Sequence, residues 1–530
     1  MRRYLSSGPW GARALAELEA QLLTTLRALP HPALPGSSLG ALGVVTSVAA
    51  SPPARAGAPP ALAVALDPVF PGAPSAALVE AAVRAACAAG APAGCAVDVA
   101  LGGGARAAPP AFAALGGGLA RVRAAVAVAS GKGGVGKSTV AVNLAFALHA
   151  RGARAALLDA DVQGPSLPTM LAPRSAEVAR GGGGAAEGCV NAVDVRGVAC
   201  ASYGWVAPRH PATGERSGAA LMRGPMLGSV VGQLAKFTDW GARDALVVDT
   251  PPGTGDVHLT LGQLLPFAGA VVVTTPQAVA VADTRRGLDM LARLNIPVLA
   301  LVLNMAHFDA PDTGARYHPL GSGAREAARL ARDYGVPQGA VLELPLEEAT
   351  SAACDSGVPL VLSHPRSQAA RVFDSLAALV AGRLEAALGG GGGGGGGSGA
   401  AAAAAQQQPK AAAAAALGQV TVRWDAGRHA LLVRWVDEAG AGEVGLAPAA
   451  VRRACRCAAC VDEHSGAPRL DPAAVAPAIA PRALVLQGNY GVAVEWSDGH
   501  SSSIYTLAQL KELALQERER ERAGRRAAAE

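Results

Sequence analysis

The sequence predicts an α/β protein whose largest domain is built on a mainly parallel β-sheet. From Ala124 onward, short apolar strand patterns alternate with helical patterns, an order typical of parallel strands joined by crossover helices. A glycine-rich loop directly follows the first of these strands and opens a helix. An unbroken glycine run from Gly389 to Gly397 separates this part from a smaller C-terminal part.

The composition fits a folded protein of several domains and argues against two other classes. At about 150 residues per domain, 530 residues suggest three or four domains. Alanine inflates the hydrophobic share of 51%, so the core is lightly apolar for the chain's size. The uncharged run 257–282 is long enough to cross a membrane, but its histidine, glutamines and prolines favour a helix followed by a buried strand. A net charge of +5 over 530 residues does not indicate the strongly basic surface of a nucleic-acid-binding protein. We therefore expect neither a membrane nor a nucleic acid as partner.

Residues 12–105 are predicted to form a small α/β domain. Its predicted helices are Ala14–Leu29 and Ala76–Ala88. Its predicted strands are Leu42–Val48, Ala61–Leu66 and Cys95–Leu101. A connector rich in glycine, alanine and proline follows and leads into the central domain.

The central domain is predicted to span residues 122–388 and to place helices on both sides of its sheet. The predicted strands are Ala124–Ala129, Ala155–Asp159, Ala245–Asp249, Ala270–Thr275 and Val298–Leu303. The predicted helices include Ser138–Ala150, Ala282–Leu294, Gly323–Tyr334 and Gln368–Ala387.

Residues 389–417, rich in glycine, alanine and glutamine, are expected to be a flexible linker. Residues 418–512 are predicted to form a small β-rich α+β domain, followed by a charged helical tail over 513–530 whose charges line a solvated face. The predicted strands are Val420–Trp424, His429–Trp435, Leu484–Gln487 and Val492–Trp496. Half of the six tryptophans lie in this short stretch, which predicts a dense small core.

The glycine-rich loop has the residues and the context of a phosphate-binding loop. It consists of Gly131, Lys132, Gly133, Gly134, Val135, Gly136, Lys137, Ser138 and Thr139. Glycines let backbone N–H groups turn towards phosphate oxygens, and the following helix points its positive dipole end at the same anion. Lys137 is expected to reach the β- and γ-phosphates, and Ser138 to ligate Mg²⁺. The loop therefore predicts a P-loop NTPase fold that binds a nucleotide together with Mg²⁺.

Polar residues end three further strands, as nucleotide sites on parallel sheets require. Asp159 ends one strand and opens the segment D-A-D-V-Q-G-P-S, which includes Asp161. Asp249 ends a second strand before T-P-P-G-T-G-D, and its carboxylate can hold the Mg²⁺ shell. Asn304 ends a third strand. Each alone is an ordinary strand-end residue, but together with the loop they favour a nucleotide site.

The loop sequence K-G-G-V-G-K-S-T resembles the deviant phosphate loop of the ParA/MinD/Mrp ATPases, and P-P-G-T-G-D and the string 222–226 resemble the Mrp/NBP branch. The resemblance implies a homodimer in which Lys132 contacts the nucleotide across the interface. It implies that Asp161 positions or activates the attacking water, that Asp159 lies near the metal, and that Asn304 reads adenine. The expected catalytic residues are Lys132, Lys137, Asp161 and Asp249.

The flanking domains resemble parts of the same family. Residues 12–105 are similar to the small domain that precedes the ATPase in bacterial Mrp proteins. Residues 418–512 resemble the N-terminal domain of γ-butyrobetaine hydroxylases, through W-S-D-G-H, S-I-Y-T-L and the cysteine-containing segment 455–463. This order resembles plastid Mrp-type proteins. It implies a slow ATPase that carries or scaffolds 4Fe–4S clusters, receives them from upstream scaffold proteins and passes them to apoproteins.

The compartment implied by this resemblance is the chloroplast stroma, with the mitochondrion or cytoplasm as alternatives. The first sixteen residues are basic and lack acids, which fits a short transit sequence or an ordinary N-terminus equally well. Eight cysteines without a secretory signal favour a reducing compartment.

The sequence departs from the family at two cysteine positions. The family's P-A-C-P motif appears as P-V-F-P, with Phe70 in place of the thiol. No cysteine lies between Cys200 and Cys354, so the C-P-x-C bridge of the bacterial and cytosolic relatives is absent. A cluster bridging two ATPase domains would therefore lack the cysteine ligands that it has in those relatives.

Cys455, Cys457 and Cys460 are the remaining candidate metal ligands, for a 4Fe–4S cluster or for zinc. His464, His500 or a thiol from another chain could supply a fourth ligand, and three reduced cysteines on a loop are the alternative. The other thiols have no ligand spacing. Cys87 and Cys354 are expected in the core, and Cys95, Cys189 and Cys200 are isolated.

Two other functions stay open. A ParA/MinD-like positioning ATPase would need a basic surface or a C-terminal amphipathic helix; Gln368–Ala387 is amphipathic but is expected to pack on the sheet. A regulatory ATPase adaptor without its own cluster would explain the missing cysteines.

Overall fold

An eight-stranded β-sheet lies at the centre of the protein. The computed structural model describes the chain except residues 1–9, 54, 56–57, 103–105, 174–188, 208–223, 322, 390–419, 438–439, 456, 458–459, 462–466, 468, 488–490, 501–502 and 528–530. Nearly all of the predicted linker, His464, part of the string 222–226 and the end of the tail therefore lie outside the described residues.

The N-terminal part is a three-stranded sheet covered by two helices. Its elements are α1 (Ala12–Ala28), β1 (Val45–Ser51), β2 (Ala61–Leu66), α2 (Ser75–Gly90) and β3 (Val97–Leu101). β2 lies between an antiparallel β1 and a parallel β3. All five predicted elements are present, with ends that differ from the prediction by up to three residues.

The central part alternates strands and helices, as predicted. Its strands are β4 (Ala125–Ser130), β5 (Ala155–Asp159), β6 (Val190–Asn191), β7 (Val193–Val195), β8 (Val198–Ser202), β9 (Thr238–Asp239), β10 (Ala245–Asp249), β11 (Phe267–Thr274), β12 (Val298–Leu303), β13 (Phe308–Asp309), β14 (Arg316–Tyr317) and β15 (Val341–Glu343). Its helices are α3 (Pro110–Ala113), α4 (Lys137–Ala150), α5 (Leu167–Met170), α6 (Tyr203–Val206), α7 (Gly224–Phe237), α8 (Asp256–Leu264), α9 (Ala278–Arg293), α10 (Ala324–Asp333), α11 (Glu348–Ser356), α12 (Leu360–Ser363) and α13 (Gln368–Gly389).

The central sheet has the order β15-β12-β11-β4-β10-β5-β8-β7, and only the β7–β8 pair is antiparallel. Successive side chains of a strand point to opposite faces. In β4, Val126 and Val128 therefore pack against α4 and α13, whereas Ala125 and Ala127 pack in the opposite layer with α7 to α10. This confirms the predicted α/β class with a mainly parallel sheet.

The uncharged run 257–282 contains most of α8 and all of β11, as its pattern predicts. Among the described residues, no helix is both long enough and apolar enough to span a membrane. Helix α13 packs its apolar side on α4 and the sheet, which confirms that prediction as well.

The segment that joins β2 to α2 connects the N-terminal part to the central part. Phe70 is fully buried in the core that also contains α4 and α13. The Arg123 guanidinium donates to the carbonyl of Val69 at 2.7 Å, and Ser75 Oγ donates to Glu385 Oε2 at 2.5 Å. At the position where the resemblance predicts a thiol, Phe70 is therefore an aromatic side chain buried in the central core.

The C-terminal part consists of two three-stranded antiparallel sheets around one core. Its elements are β16 (Thr421–Asp425), β17 (Ala430–Asp437), β18 (Gly440–Leu446), α14 (Pro448–Arg453), β19 (Pro481–Gln487), β20 (Gly491–Trp496), β21 (Ser503–Thr506) and α15 (Leu507–Ala527). Trp435 and Trp496 are buried in this core, and Trp424 packs at its edge. The predicted dense core is therefore present.

Candidate nucleotide and metal sites

The predicted nucleotide residues meet at one edge of the central sheet. Parallel strands present their carboxyl ends on the same side, so the ends of β4, β5, β10 and β12 and the segments that follow them lie together. These segments carry the glycine-rich loop, Asp159 and Asp161, Asp249, and Asn304, respectively. The fold thus brings together residues that are up to about 170 positions apart in the sequence.

The loop between β4 and α4 needs glycine at two positions. Gly134 and Gly136 have φ angles of +78° and +84°, in the left-handed region that side-chain-bearing residues avoid. Gly136 directly precedes Lys137, the first residue of α4, so the helix N-terminus faces the loop. The Asn304 amide donates to the Val135 carbonyl at 2.9 Å and ties the end of β12 to the loop.

Lys137 and Asp249 form a buried ion pair. The Lys137 ammonium donates to Asp249 Oδ1 and also contacts Ser138 Oγ at 3.3 Å. Burial raises the pKa of Asp249, and the charge of Lys137 opposes that rise. The lysine expected on phosphate and the carboxylate expected near Mg²⁺ are thus paired with each other.

Asp159 is fully buried and accepts hydrogen bonds on both oxygens. Oδ2 accepts from the backbone N–H groups of Ser166 and Leu167 at 3.1 and 3.2 Å, and from Ser202 Oγ at 2.9 Å. Oδ1 accepts from the N–H of Asp161 at 3.2 Å. Burial, together with the charge of Asp249 on the adjacent strand, raises its pKa to about 7.

Asp161 and Lys132 are the accessible charged groups of the site. Asp161 is half-buried, and its Oδ1 accepts from the Gly164 N–H at 3.2 Å. The Lys132 side chain is exposed, and its backbone carbonyl accepts from Ser130 Oγ at 3.0 Å. Both groups are thus placed to meet a bound molecule or a second protein surface.

Two polar residues of the site were not predicted. His258 is buried in α8, close enough to Lys137 and Asp161 for their charges to affect it, and burial lowers its pKa to about 4. Ser202 ends the edge-side strand β8 and binds Asp159. The sequence pattern around His258 and Ser202 is a weak indication of a site. Each is a single polar residue next to an apolar stretch, and the groups that it meets are distant in the sequence.

A second site lies in the C-terminal part. His500 Nε2 is 3.5, 3.4 and 3.7 Å from the sulfur atoms of Cys455, Cys457 and Cys460. All four ligand atoms lie within 4.8 Å of one another. Elsewhere among the residues that the structure describes, no three histidine, cysteine or acidic side chains come this close.

The spacing fits a single tetrahedral ion. Zinc bonds of about 2.3 Å to sulfur and about 2.0–2.1 Å to nitrogen, at tetrahedral angles, place sulfur and nitrogen about 3.5–3.6 Å apart. The observed distances of 3.4–3.7 Å bracket this value. A four-iron cluster distributes its ligands over separate iron atoms, so it needs donors that are farther apart.

Neighbouring groups hold this site in place. His500 donates its backbone N–H to Asp498 Oδ1 at 3.0 Å, and Asp498 pairs with Arg452 at 2.9 Å. The Arg452 guanidinium also donates to Cys460 Sγ at 3.3 Å, so the same arginine contacts a candidate ligand and the Asp498 carboxylate. Burial raises the pKa of Cys455 to about 12. Without a metal that thiol stays protonated, so metal binding must release its proton.

Comparison with known proteins agrees with this architecture. A family described as the NUBPL iron-transfer P-loop NTPases matches residues 121–381, and the N-terminal domain of γ-butyrobetaine hydroxylase-like proteins matches residues 418–511. The iron-sulfur cluster carrier protein of Synechocystis sp. is 43% identical over 272 residues, covering 51% of this chain and 73% of that protein. The chain belongs to the iron-transfer P-loop NTPase family.

Two further relatives of this family carry related names. The chloroplastic Fe-S cluster assembly factor HCF101 of Arabidopsis thaliana is 37% identical over 395 residues, covering 74% of this chain but 65% of that protein's length. The iron-sulfur cluster transfer protein NUBPL of Mus musculus is 40% identical over 270 residues, covering 50% of this chain and 79% of that protein.

The remaining cysteines of this family member are scattered. Cys87, Cys189 and Cys200 are buried singly, and Cys95 and Cys354 are half-buried. Cys354 packs against the central core, as expected for a small apolar residue.

Proposed function

We propose that this chain is a slow, switch-like ATPase. The observation that carries the proposal is the buried Lys137–Asp249 pair beside a glycine loop and a helix N-terminus. Mg-ATP would separate this pair. Lys137 would then bind phosphate, and Ser138, Asp249 and Asp159 would belong to the Mg²⁺ shell. Asp161 would orient the attacking water, and Asn304 would contact adenine.

The test of this proposal is ATP hydrolysis by the Lys137→Ala variant. We expect hydrolysis to fall to background, because no other buried cation among the described residues is placed to hold the phosphates. Wild-type turnover by this variant would refute the assignment.

We also propose that the chain acts as a homodimer through its nucleotide edge. Five exposed large apolar residues follow the carboxyl ends of β10, β11, β12 and β15: Leu259, Val279, Phe308, Tyr317 and Leu346. A second copy would cover them and bring its exposed Lys132 to the nucleotide. Lys132→Ala should then retain ATP binding and lose hydrolysis; unchanged hydrolysis would contradict this interface.

The biological role we propose is the carriage of 4Fe–4S clusters from scaffold proteins to apoproteins in the chloroplast stroma. The names of the relatives support it, and ATP-driven closing and opening of a dimer is a suitable device for holding and releasing a cargo. The cluster would be cargo, and the Cys455–Cys457–Cys460–His500 site would hold a resident zinc ion that stabilises the C-terminal part.

A second candidate function is a regulatory ATPase adaptor without its own cluster. Phe70 stands where the resemblance predicts a thiol. Among the described residues, the one cluster of thiols, Cys455, Cys457 and Cys460 with His500, has the spacing of a single-ion site. Anaerobic reconstitution separates the two functions. A carrier binds iron and sulfide in addition to zinc, whereas an adaptor binds zinc alone.

A further inference from the structure

Ser202 connects two elements that lie beside the nucleotide site. It ends β8 and is buried, with 1% of its surface exposed. Its hydroxyl donates to Asp159 Oδ2 at 2.9 Å and accepts from the Gly204 N–H at 3.2 Å, at the start of α6. A hydroxyl has one donor and two acceptor positions, so both bonds can be made at once.

The Asp159 carboxylate binds the loop that follows β5 through hydrogen bonds. Three of its four hydrogen bonds come from N–H groups of the loop itself, at Asp161, Ser166 and Leu167. The fourth comes from Ser202, the one side-chain donor of the set. Hydrogen bonds to a carboxylate are about twice as strong as neutral ones, so Ser202 fixes where this carboxylate and its loop lie.

The same loop packs directly on the turn that Ser202 caps. A Cβ atom added at Gly204 would lie 2.5 Å from Pro168 Cγ and 3.3 Å from Pro165 Cγ. Only glycine at this position lets the two prolines approach the backbone. The Ser202–Tyr203–Gly204 turn therefore holds the loop in two ways, through the hydrogen bond to Asp159 and through this close contact.

We propose that Ser202 is a positioning residue for ATP hydrolysis. It sets the loop 161–167 through Asp159, so that Asp161 faces the reacting phosphate, and it does not itself touch the nucleotide. This inference rests on the proposed ATPase function. Since Asp161 acts on the attacking water, a displaced loop lowers the turnover rate and leaves the binding of ATP by the glycine-rich loop nearly unchanged.

The test compares Ser202→Ala with Ser75→Ala in the full chain. Ser75 is an equally buried serine that donates to a buried carboxylate, Glu385, away from the nucleotide site. Turnover is counted per nucleotide-binding site, by titration with fluorescent ADP, so that loss of folded protein does not lower it. We expect Ser202→Ala to lower kcat at least about tenfold with KM changed less than about threefold, and Ser75→Ala to keep wild-type kcat.

Two further variants keep the inference testable if Ser202→Ala folds poorly. Ser202→Thr keeps the hydroxyl and should retain kcat within about threefold of wild type. Gly204→Ala keeps Ser202 but displaces Pro168, and should lower kcat in the same manner as Ser202→Ala. Equal kcat in Ser202→Ala and Ser75→Ala, or a normal kcat in Gly204→Ala, would overturn the inference. An inactive wild-type protein would refute the proposed ATPase function itself.

Discussion

Replacing His500 by alanine removes one of four donors from the C-terminal site. Zinc bound by four protein ligands contributes roughly 10–16 kcal/mol in small domains. If each donor contributes about a quarter, the loss is about 3 kcal/mol, or roughly a hundredfold in zinc affinity. We expect the three thiols to keep binding zinc, with this weaker affinity.

Competition with a chromophoric zinc chelator measures this change. A suitable control is His429→Asn, since His429 is an exposed histidine of the same part and asparagine tolerates its φ of +47°. Trp496 reports on the fold, because its backbone N–H donates to the His500 carbonyl at 2.9 Å. If His500→Ala bound zinc as tightly as the control, the four-ligand site would be wrong.

Three other changes test how the N-terminal and central parts are held together. Asp244→Asn should lower the free energy of unfolding by about 3–5 kcal/mol in denaturant titration, because it leaves the buried Arg123 charge without its partner; Asp374→Asn, at an exposed pair, should change it by less than about 1 kcal/mol. Phe70→Ala should cost about 3–5 kcal/mol in the same titration, and a loss below about 1 kcal/mol would mean that Phe70 is no anchor. Burial raises the pKa of Glu385, so its protonation favours the folded state and stability falls as pH rises from its ordinary value of 4.5 through the raised one. Glu385→Gln should therefore melt at a higher temperature than wild type at neutral pH, with a difference that shrinks towards pH 4; a constant difference would contradict this.

The sequence predicted those parts of the fold that depend on local patterns. The strands Ala155–Asp159, Ala245–Asp249 and Val298–Leu303 lie where the apolar runs indicate. The short strands β7, β8 and β15 were not predicted. Runs of three to five residues, rich in alanine or mixed in character, carry little periodic signal, and pairing with a neighbouring strand decides their structure.

The same limit applies to the sites. The glycine-rich loop and the strand-end residues were predicted because each carries a local motif. His500 remained one of three possible ligands, since forty residues separate it from Cys460 and only the folded C-terminal part brings them together. Ser202 was missed for a similar reason, because its partner Asp159 lies on the adjacent strand, 43 positions away in the sequence.

Transfer of a cluster to an apoprotein is the direct test of whether this chain carries iron–sulfur clusters. The chain is reconstituted anaerobically with iron and sulfide, freed of unbound iron, and mixed with an apoprotein that needs a 4Fe–4S cluster. We expect Mg-ATP to accelerate recovery of the apoprotein's activity, and Lys137→Ala to abolish this acceleration. If the reconstituted chain held zinc but neither iron nor sulfide, and restored no activity, it would not be a cluster carrier.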